Sequence, residues 1–400
     1  MRNQPSVKAP NKLVLLNILA FLSFVVVTTE FAMIGFLPEI SLQLGVSLAK
    51  AGWFVTWFAL GAAMAGPCLT LMVNVFDTKR YFMFTTSAFT LANVVVILLP
   101  HYEVIVVARF IQGGFLPVIL SIIAMTAVDI SGDNHQHWAI SRVNLGLVIA
   151  TVLGIPLSAF IAVEYNWQLT FLLLSILGLF AIVGIVFYFP AEVPKKSIAN
   201  ENDRPLLLQP LFLLHLVLSM LLFTAMFTVY TYISSFILTV TTFSNAAIGW
   251  LLVVFGGAGV VGNWLIGRST FKQILQPTIY LMLIFFMAVL LLTFIGIYWK
   301  VLAIIILALW GATHMAAFVI TQVRIMQVAK DHKAFALSLN MAICNLGISI
   351  GAMVGGWVSS QYAVDIIGYV AGGFAMFTVL IAFIMQKAEE NQRPYSSIIE

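Results

Sequence analysis

The sequence predicts an all-α integral membrane protein with twelve transmembrane helices in two pseudo-symmetric six-helix bundles. Three observations carry that prediction. First, 62% of the 400 residues are hydrophobic and only 8% are charged, against about 25% charged in a soluble domain; the mean hydropathy is +1.06. Second, the apolar residues fall into runs long enough to cross a bilayer. Third, the basic residues alternate with those runs in a way that only one topology explains.

A helical crossing needs roughly 20 apolar residues. On that ruler, spans fall near 13–38, 48–75, 80–100, 102–128, 138–163 and 167–190, and resume near 210–240, 246–267, 274–298, 300–326, 334–360 and 366–386. With a cytoplasmic N-terminus, the inside loops hold Arg2, Lys8, Lys12, Lys79, Arg80, Arg142, Lys195, Lys196, Arg204, Arg268, Lys272, Arg324, Lys330, Lys333, Lys387 and Arg393. These are sixteen of the nineteen basic residues; Lys50 and Lys300 fall outside and Arg109 lies within a span. A wrong span count would scramble this pattern, so the positive-inside rule supports both count and orientation. The pI near 9.0 is thereby a topology signal and needs no nucleic-acid partner.

The first apolar run follows a polar stretch, Met1–Lys12, and lacks a small-residue cleavage site, so it reads as a span and not as a removable leader. Residues 191–209, with Lys195, Lys196, Glu201, Asp203 and Arg204, read as a cytoplasmic linker between an N-terminal bundle (1–190) and a C-terminal bundle (210–400). No Gly-Lys-Ser/Thr phosphate loop is present, which excludes nucleotide hydrolysis by that route. Nor is there room for a soluble catalytic domain, so no enzyme is expected. Cys68 and Cys344 sit in apolar segments without a redox or metal motif. His135 and His137 share a loop with Asp133, too few ligands for a metal site, and none is expected.

A weak repeat supports the two halves. Gly52-Trp53 recurs as Gly249-Trp250 at an offset of 197, each pair followed by small residues, and Asn144 recurs as Asn340 at an offset of 196. Internal duplication of this kind is common in membrane transporters.

Glu30 is the most informative residue. It lies inside the first span, in Val27-Thr28-Thr29-Glu30-Phe31, where an ionisable group is costly and normally faces a cavity or a partner. It is suited to taking up and releasing protons; the alternative is an acid locked to one partner. Arg109, in Ala108-Arg109-Phe110-Ile111-Gln112-Gly113, is read as the only basic residue deep in a span. At ~1.5 Å per residue, both lie on the outer side of their spans at similar depth, within reach of each other if spans one and four are neighbours. A static bridge between two helices would use the same pair.

Gln112, Asn144, Gln322, Asn340 and Asn345 are candidates to line a solute path, or to tie helices together. Tyr230, with Phe223, Met226, Phe227 and Tyr232, fits an adaptable apolar pocket, and His314 is a candidate second titrating or substrate-contacting group. Gly146, Gly154 and Pro156 give span five a closely packed, bendable segment suited to gating.

Taken together these residues resemble the major facilitator superfamily, and within it the twelve-span drug:proton antiporters of the bacterial sugar-efflux and multidrug-exporter type. The resemblance rests on Thr28-Thr29-Glu30-Phe31 followed by Gly35-Phe36-Leu37-Pro38-Glu39-Ile40, on Arg109-x-x-Gln112-Gly113, on Gly146 through Gly154-Ile155-Pro156, and on Leu339-Asn340 with Asn345-Leu346-Gly347. It implies export coupled to a proton gradient with no other cofactor, Arg109 aiding proton coupling, and spans one, four, seven and ten lining a central cavity. It also implies a monomer in the bacterial inner membrane with both termini cytoplasmic, whose partners are a small-molecule substrate, protons and lipid. A facilitator or proton-coupled importer on the same fold, or a membrane sensor, are the alternatives. One motif departs from the family: Val75 stands where an acid is usual ahead of Lys79-Arg80, with Asp77 two residues later and Asp129 as another possible partner for Arg80.

Overall fold

The computed structural model describes residues 12–131, 135–190, 204–268, 273–329 and 333–391. Most of the predicted linker, together with Asp133, Lys272 and Lys330, lies outside the described residues. Among the described residues, twelve helices are long and apolar enough to span a bilayer: Lys12–Gly35, Leu48–Leu71, Thr78–Leu98, Tyr102–Ser131, Trp138–Glu164 and Trp167–Tyr188, then Pro210–Tyr230, Asn245–Arg268, Gln276–Ile295, Lys300–Ala329, Phe335–Gln361 and Ile366–Glu390. They are called spans one to twelve. Helices satisfy every backbone group internally, which lipid demands. An even number of crossings puts Lys12 and Asn391 on one side, here termed the terminal face.

Span ends depart from the sequence ruler at three places. Span one stops at Gly35, and a separate short helix, Leu37–Gln43, follows. Pro38 supplies the reason: it lacks an N–H and biases the preceding residue away from helical dihedrals. Span seven stops at Tyr230 and restarts as a short helix, Ile233–Val240. No proline stands there; the break is held by packing of Tyr232, described below. Span two ends at Leu71 in a 3-10 turn, Met72–Asn74.

Packing repeats between the halves. Span two packs on four, one on five, and three on six; likewise eight packs on ten, seven on eleven, and nine on twelve. Across the halves, span two meets eleven and span five meets eight. The repeated glycines lie beside those crossings, Gly249 against span five and Gly52 against Tyr232, whose hydroxyl donates to the Ala352 carbonyl of span eleven. A Cβ on Gly52 would lie 1.8 Å from the Tyr232 hydroxyl, and one on Gly249 would lie 3.5 Å from Phe160 Cβ and the Pro156 carbonyl. Small residues let backbones approach where no hydrophobic force acts between helices.

The buried apolar residues show how the halves meet. One cluster is shared, running from Phe36, Phe54 and Trp167 to Phe227, Phe285 and Trp310. Nearer the terminal face the clusters separate: one lies wholly within 15–189, two others within 206–385. The halves are therefore joined on the side away from the termini and part toward the terminal face.

Candidate functional site

Span four delivers Arg109 into the first bundle fully buried. Its Nη1 donates to the Thr29 carbonyl at 2.9 Å and to Gln112 Oε1 at 3.2 Å, its Nη2 to the Glu30 carbonyl at 2.7 Å, and its Nε to the Phe54 carbonyl at 3.4 Å. The guanidinium also lies over the Phe58 ring, 4.2 Å from its centroid. Arg109 thus clamps span four to spans one and two through main-chain oxygens. The anticipated contact with Glu30 exists, but it runs to the backbone and leaves the carboxylate free of any hydrogen bond among the described residues.

Glu30 itself is half-buried, with Arg109 and Tyr230 within electrostatic reach. A fixed cation beside an uncommitted carboxylate gives a site whose net charge changes when a proton binds. Among the described residues, Glu30 is the one acid set back by more than a helical turn from the end of its span.

Gln112 is not a cavity residue. It is fully buried, accepts from Arg109, and donates to Asn93 Oδ1 at 2.7 Å and to the Phe89 carbonyl at 3.4 Å. Its two-sided amide spans the gap from Arg109 to span three, a positioning duty that leaves no group for a solute.

The second half faces Glu30 with rings. Phe31 and Phe227 meet across the halves at 6.2 Å between centroids. His314 is sealed, its ring 4.1 Å from that of Tyr230, 5.3 Å from Phe227 and 5.5 Å from Phe255. Its Nδ1 has no hydrogen-bond partner among the described residues, nor have Asn340 Oδ1, Asn345 Oδ1 and Thr28 Oγ1. Asn340 and Asn345 are buried, while Asn144 and Gln322 are exposed toward the terminal-face ends of their spans. Pseudo-equivalent positions 144 and 340 therefore occupy different surroundings.

Span five carries a π-helical segment, Ala150–Gly154, ahead of Pro156. A Cβ on Gly154 would lie 2.2 Å from Thr28 Oγ1, one on Gly146 1.9 Å from the Ala20 carbonyl, and one on Gly256 2.4 Å from the Thr151 carbonyl. Such bulges recur at functional sites, and this one touches the turn before Glu30 on one side and span eight on the other. In the loop before span three, Asp77 accepts from the Arg80 N–H at 2.8 Å as an N-cap, while Lys79 donates to the Phe189 and Val186 carbonyls at 2.8 and 3.0 Å. These bonds stay within the first bundle; Asp129 sits half-buried in the last turn of span four.

Arg324 requires a correction. It was counted with the inside loops, yet it is buried in span ten, donating to Ser219 Oγ at 2.7 Å, Thr278 Oγ1 at 2.8 Å and the His215 carbonyl at 3.2 Å. Arg109 is therefore not the sole buried cation. Arg324 stands close to the end of the predicted span 300–326, which made it look like a loop residue; the apolar continuation to Ala329 is the signal that places it inside. Asn93 and Ser234 carry no signal in the sequence, and Tyr232, read as part of an apolar pocket, is instead a contact between spans. Tyr232 donates to the Ala352 carbonyl at 2.9 Å, and Ser234 Oγ to the Gly35 and Ile34 carbonyls at 2.9 and 3.3 Å. Polar residues of this ordinary kind acquire meaning only from what lies opposite. Both cysteines are free.

A family model described as Major Facilitator Superfamily matches residues 19–352. The chain belongs to that superfamily. It is 27% identical over 368 residues to the inner membrane transport protein YdhP of Escherichia coli (strain K12), covering 91% of this chain and 94% of that protein. It is 26% identical over 389 residues to the uncharacterized MFS-type transporter YbcL of Bacillus subtilis (strain 168), covering 94% and 96%. Among solved structures, the nucleoside transporter NupG superposes with a TM-score of 0.76 at 13% identity, covering 94% of this chain and all of that one. A bacterial homologue of the human lysosomal transporter Spinster, inward-facing and occupied, gives 0.75 at 12%, covering 98% and 100%. The fold is that of the superfamily, and the chain is a multi-pass membrane transporter and not an enzyme.

Proposed function

We propose that this transporter is a proton-coupled exporter of small molecules, working by alternating access. The bundles are residues 1–190 and 210–400, linked by 191–209, in a bacterial inner membrane with both termini cytoplasmic. The observation that carries the reading is the pairing of a half-buried, hydrogen-bond-free Glu30 carboxylate with an Arg109 that is fully committed to carbonyl groups. Arg109 cannot leave, so the charge of the site is set by whether Glu30 holds a proton. With the halves parted toward the termini, the state is open to the cytoplasm.

In this reading Tyr230, His314, Asn340 and Asn345, all buried in this conformation, become an aromatic wall with a few polar groups for the substrate when the halves rearrange. Asn144 and Gln322 line its path toward the cytoplasm, and Gly146, Gly154 and Pro156 let span five shift against spans one and eight. The resident cofactor is none; the driving force is the proton gradient. The likeness to an inner membrane transport protein of Escherichia coli supports the inner-membrane placement.

The test uses inverted membrane vesicles energised to an acidic interior, challenged with a panel of ethidium, chloramphenicol, arabinose, adenine and spermidine. Wild type is expected to release protons on addition of at least one compound. Glu30→Gln is expected to abolish that release while still exchanging the compound passively. Full proton-driven uptake by Glu30→Gln would sink the assignment.

A further inference from the structure

The seam between spans five and eight has a lipid-facing side that the transport mechanism does not use. Gly256 marks the seam on span eight and Pro156 on span five, through the contacts given above. The next residue in each, Gly257 and Leu157, is turned by about 100° in the same sense. Because the two helices run antiparallel, the same turn brings both onto the same side of the seam. Strips of exposed side chains continue from there at three- and four-residue spacing: Leu157, Leu153, Ile149 and Leu145 on span five, and, beyond the half-buried Gly257, Val261 and Trp264 on span eight. The first strip also runs the other way to Phe160 and the second to Trp250. There the halves are closed on each other, so the strips face lipid and not the cavity.

Toward the terminal face this side changes character. Close packing of span five on span eight involves the π segment and the helix after it; the helix before it, Gln136–Ile149, does not pack extensively on span eight. The helices therefore diverge into an apolar wedge, with a notch at Gly257, where an added Cβ meets nothing within 4 Å. At the mouth stand two matched pairs. Arg142 lies over Trp138 at 5.9 Å and Arg268 over Trp264 at 4.2 Å. Arg142 also donates to Asn17 Oδ1 at 3.0 Å. Among the described residues neither arginine has a carboxylate partner.

We propose that this wedge is a binding site for an anionic phospholipid, the phosphate held between Arg142 and Arg268 and one acyl chain lying along the seam over Gly257. Two unneutralised guanidinium groups, each backed by an indole of the kind that sits at headgroup level, fit a negatively charged headgroup. Arginine suits phosphate because its planar fork donates two parallel bonds. The apolar strips beneath fit the chain.

Native mass spectrometry of the purified full chain, titrated with phosphatidylglycerol or phosphatidylcholine, tests the site. Wild type is expected to bind phosphatidylglycerol more tightly than phosphatidylcholine. Each of Arg142→Gln and Arg268→Gln is expected to weaken phosphatidylglycerol by about fivefold, and the double variant by about 25-fold, from ~1 kcal/mol per basic residue at a membrane surface. Lys387→Gln, a terminal-face cation over Phe383 on span twelve, is expected to change nothing. Gly257→Phe fills the notch and is expected to weaken binding with both arginines in place. Among the described residues the Trp264 ring is the one partner of Arg268, so Arg268→Gln keeps the test valid if Arg142→Gln folds poorly. Equal binding of the two lipids, wild-type binding by Arg268→Gln, or an equal loss in Lys387→Gln would each overturn the site.

Discussion

Substituting Gly113 by alanine probes the clamp around Arg109 without touching a polar group. In span four, Gly113 lies one turn beyond Arg109, on the same face. Its added Cβ would sit 1.9 Å from the Phe58 carbonyl oxygen and 2.7 Å from the carbonyl carbon. The contact is reciprocal, since a Cβ on Gly61 would sit 2.2 Å from the Phe110 carbonyl oxygen. Ordinary van der Waals separation is about 3.5 Å, so spans two and four must part by roughly 1.5 Å. No flexible side-chain tip is available to yield, because the obstacle is backbone. Overpacking of this kind costs about 1–3 kcal/mol, and the upper end applies. The same movement stretches the Arg109 Nε bond to Phe54, already 3.4 Å, and lifts the guanidinium off Phe58, for about 1 kcal/mol more. Over 400 residues, at about 2.1 cal/mol/K of unfolding entropy per residue, a total near 3 kcal/mol or above corresponds to a fall in apparent melting temperature of about 4 °C. The assay is tryptophan fluorescence during heating of the detergent-solubilised protein, with Gly257→Ala as control because its Cβ meets open space. A Gly113→Ala protein melting within 1 °C of wild type (an error margin on the order of the assay's own), or a control falling as far, would refute the reasoning.

Three further outcomes are expected. Ser234→Ala removes the hydroxyl joining the break in span seven to the carbonyls of Ile34 and Gly35. At about 0.5–1.5 kcal/mol this should shift the population opened away from the termini by about two- to tenfold; spin labels at Leu42→Cys and Thr239→Cys report it, and an unchanged distance distribution counts against it. Arg324→Met leaves Ser219 and Thr278 without their buried donor and should destabilise by about 1–3 kcal/mol; a melt matching wild type would reduce Arg324 to a bystander. Glu39, in the short helix after span one, has Oε2 buried without a hydrogen-bond partner among the described residues, and burial pushes its carboxyl above the usual carboxylate range. The folded state thus favours the protonated acid, and its stability advantage at low pH is lost as pH rises through the raised folded value. Glu39→Gln should therefore melt higher than wild type by on the order of a few degrees at pH 8 and by less at pH 5; a gap that narrows with rising pH would contradict the sign.

Hydrophobicity alone located the spans because lipid imposes one requirement on every crossing, about 20 apolar residues with their backbone bonds closed internally. That requirement is local, so it is written in composition, and it told span from loop almost everywhere. It was blind to the ends of spans one and seven. Pro38 explains the first, but at Tyr232 the chain stays apolar and the helix stops because a phenol wedges between Gly52, Gly355 and Gly356 on two other spans.

The same division runs through the site. Glu30 and Arg109 were legible because charge is scarce within spans and costly there. What each does was not: that Arg109 holds carbonyls and leaves the Glu30 carboxylate unbonded depends on which atoms of spans one and two face span four. Gln112 read as either a solute contact or a tie between helices, and it is a buried spacer between Arg109 and Asn93. Arg324 looked like a loop charge and is buried among Ser219, Thr278 and the His215 carbonyl. Sequence determines that a polar group lies at membrane depth, since transfer energy is a property of the residue. Only tertiary structure decides whether that group meets a solute, a proton or another helix, since hydrogen bonds depend on geometry between segments far apart in the chain.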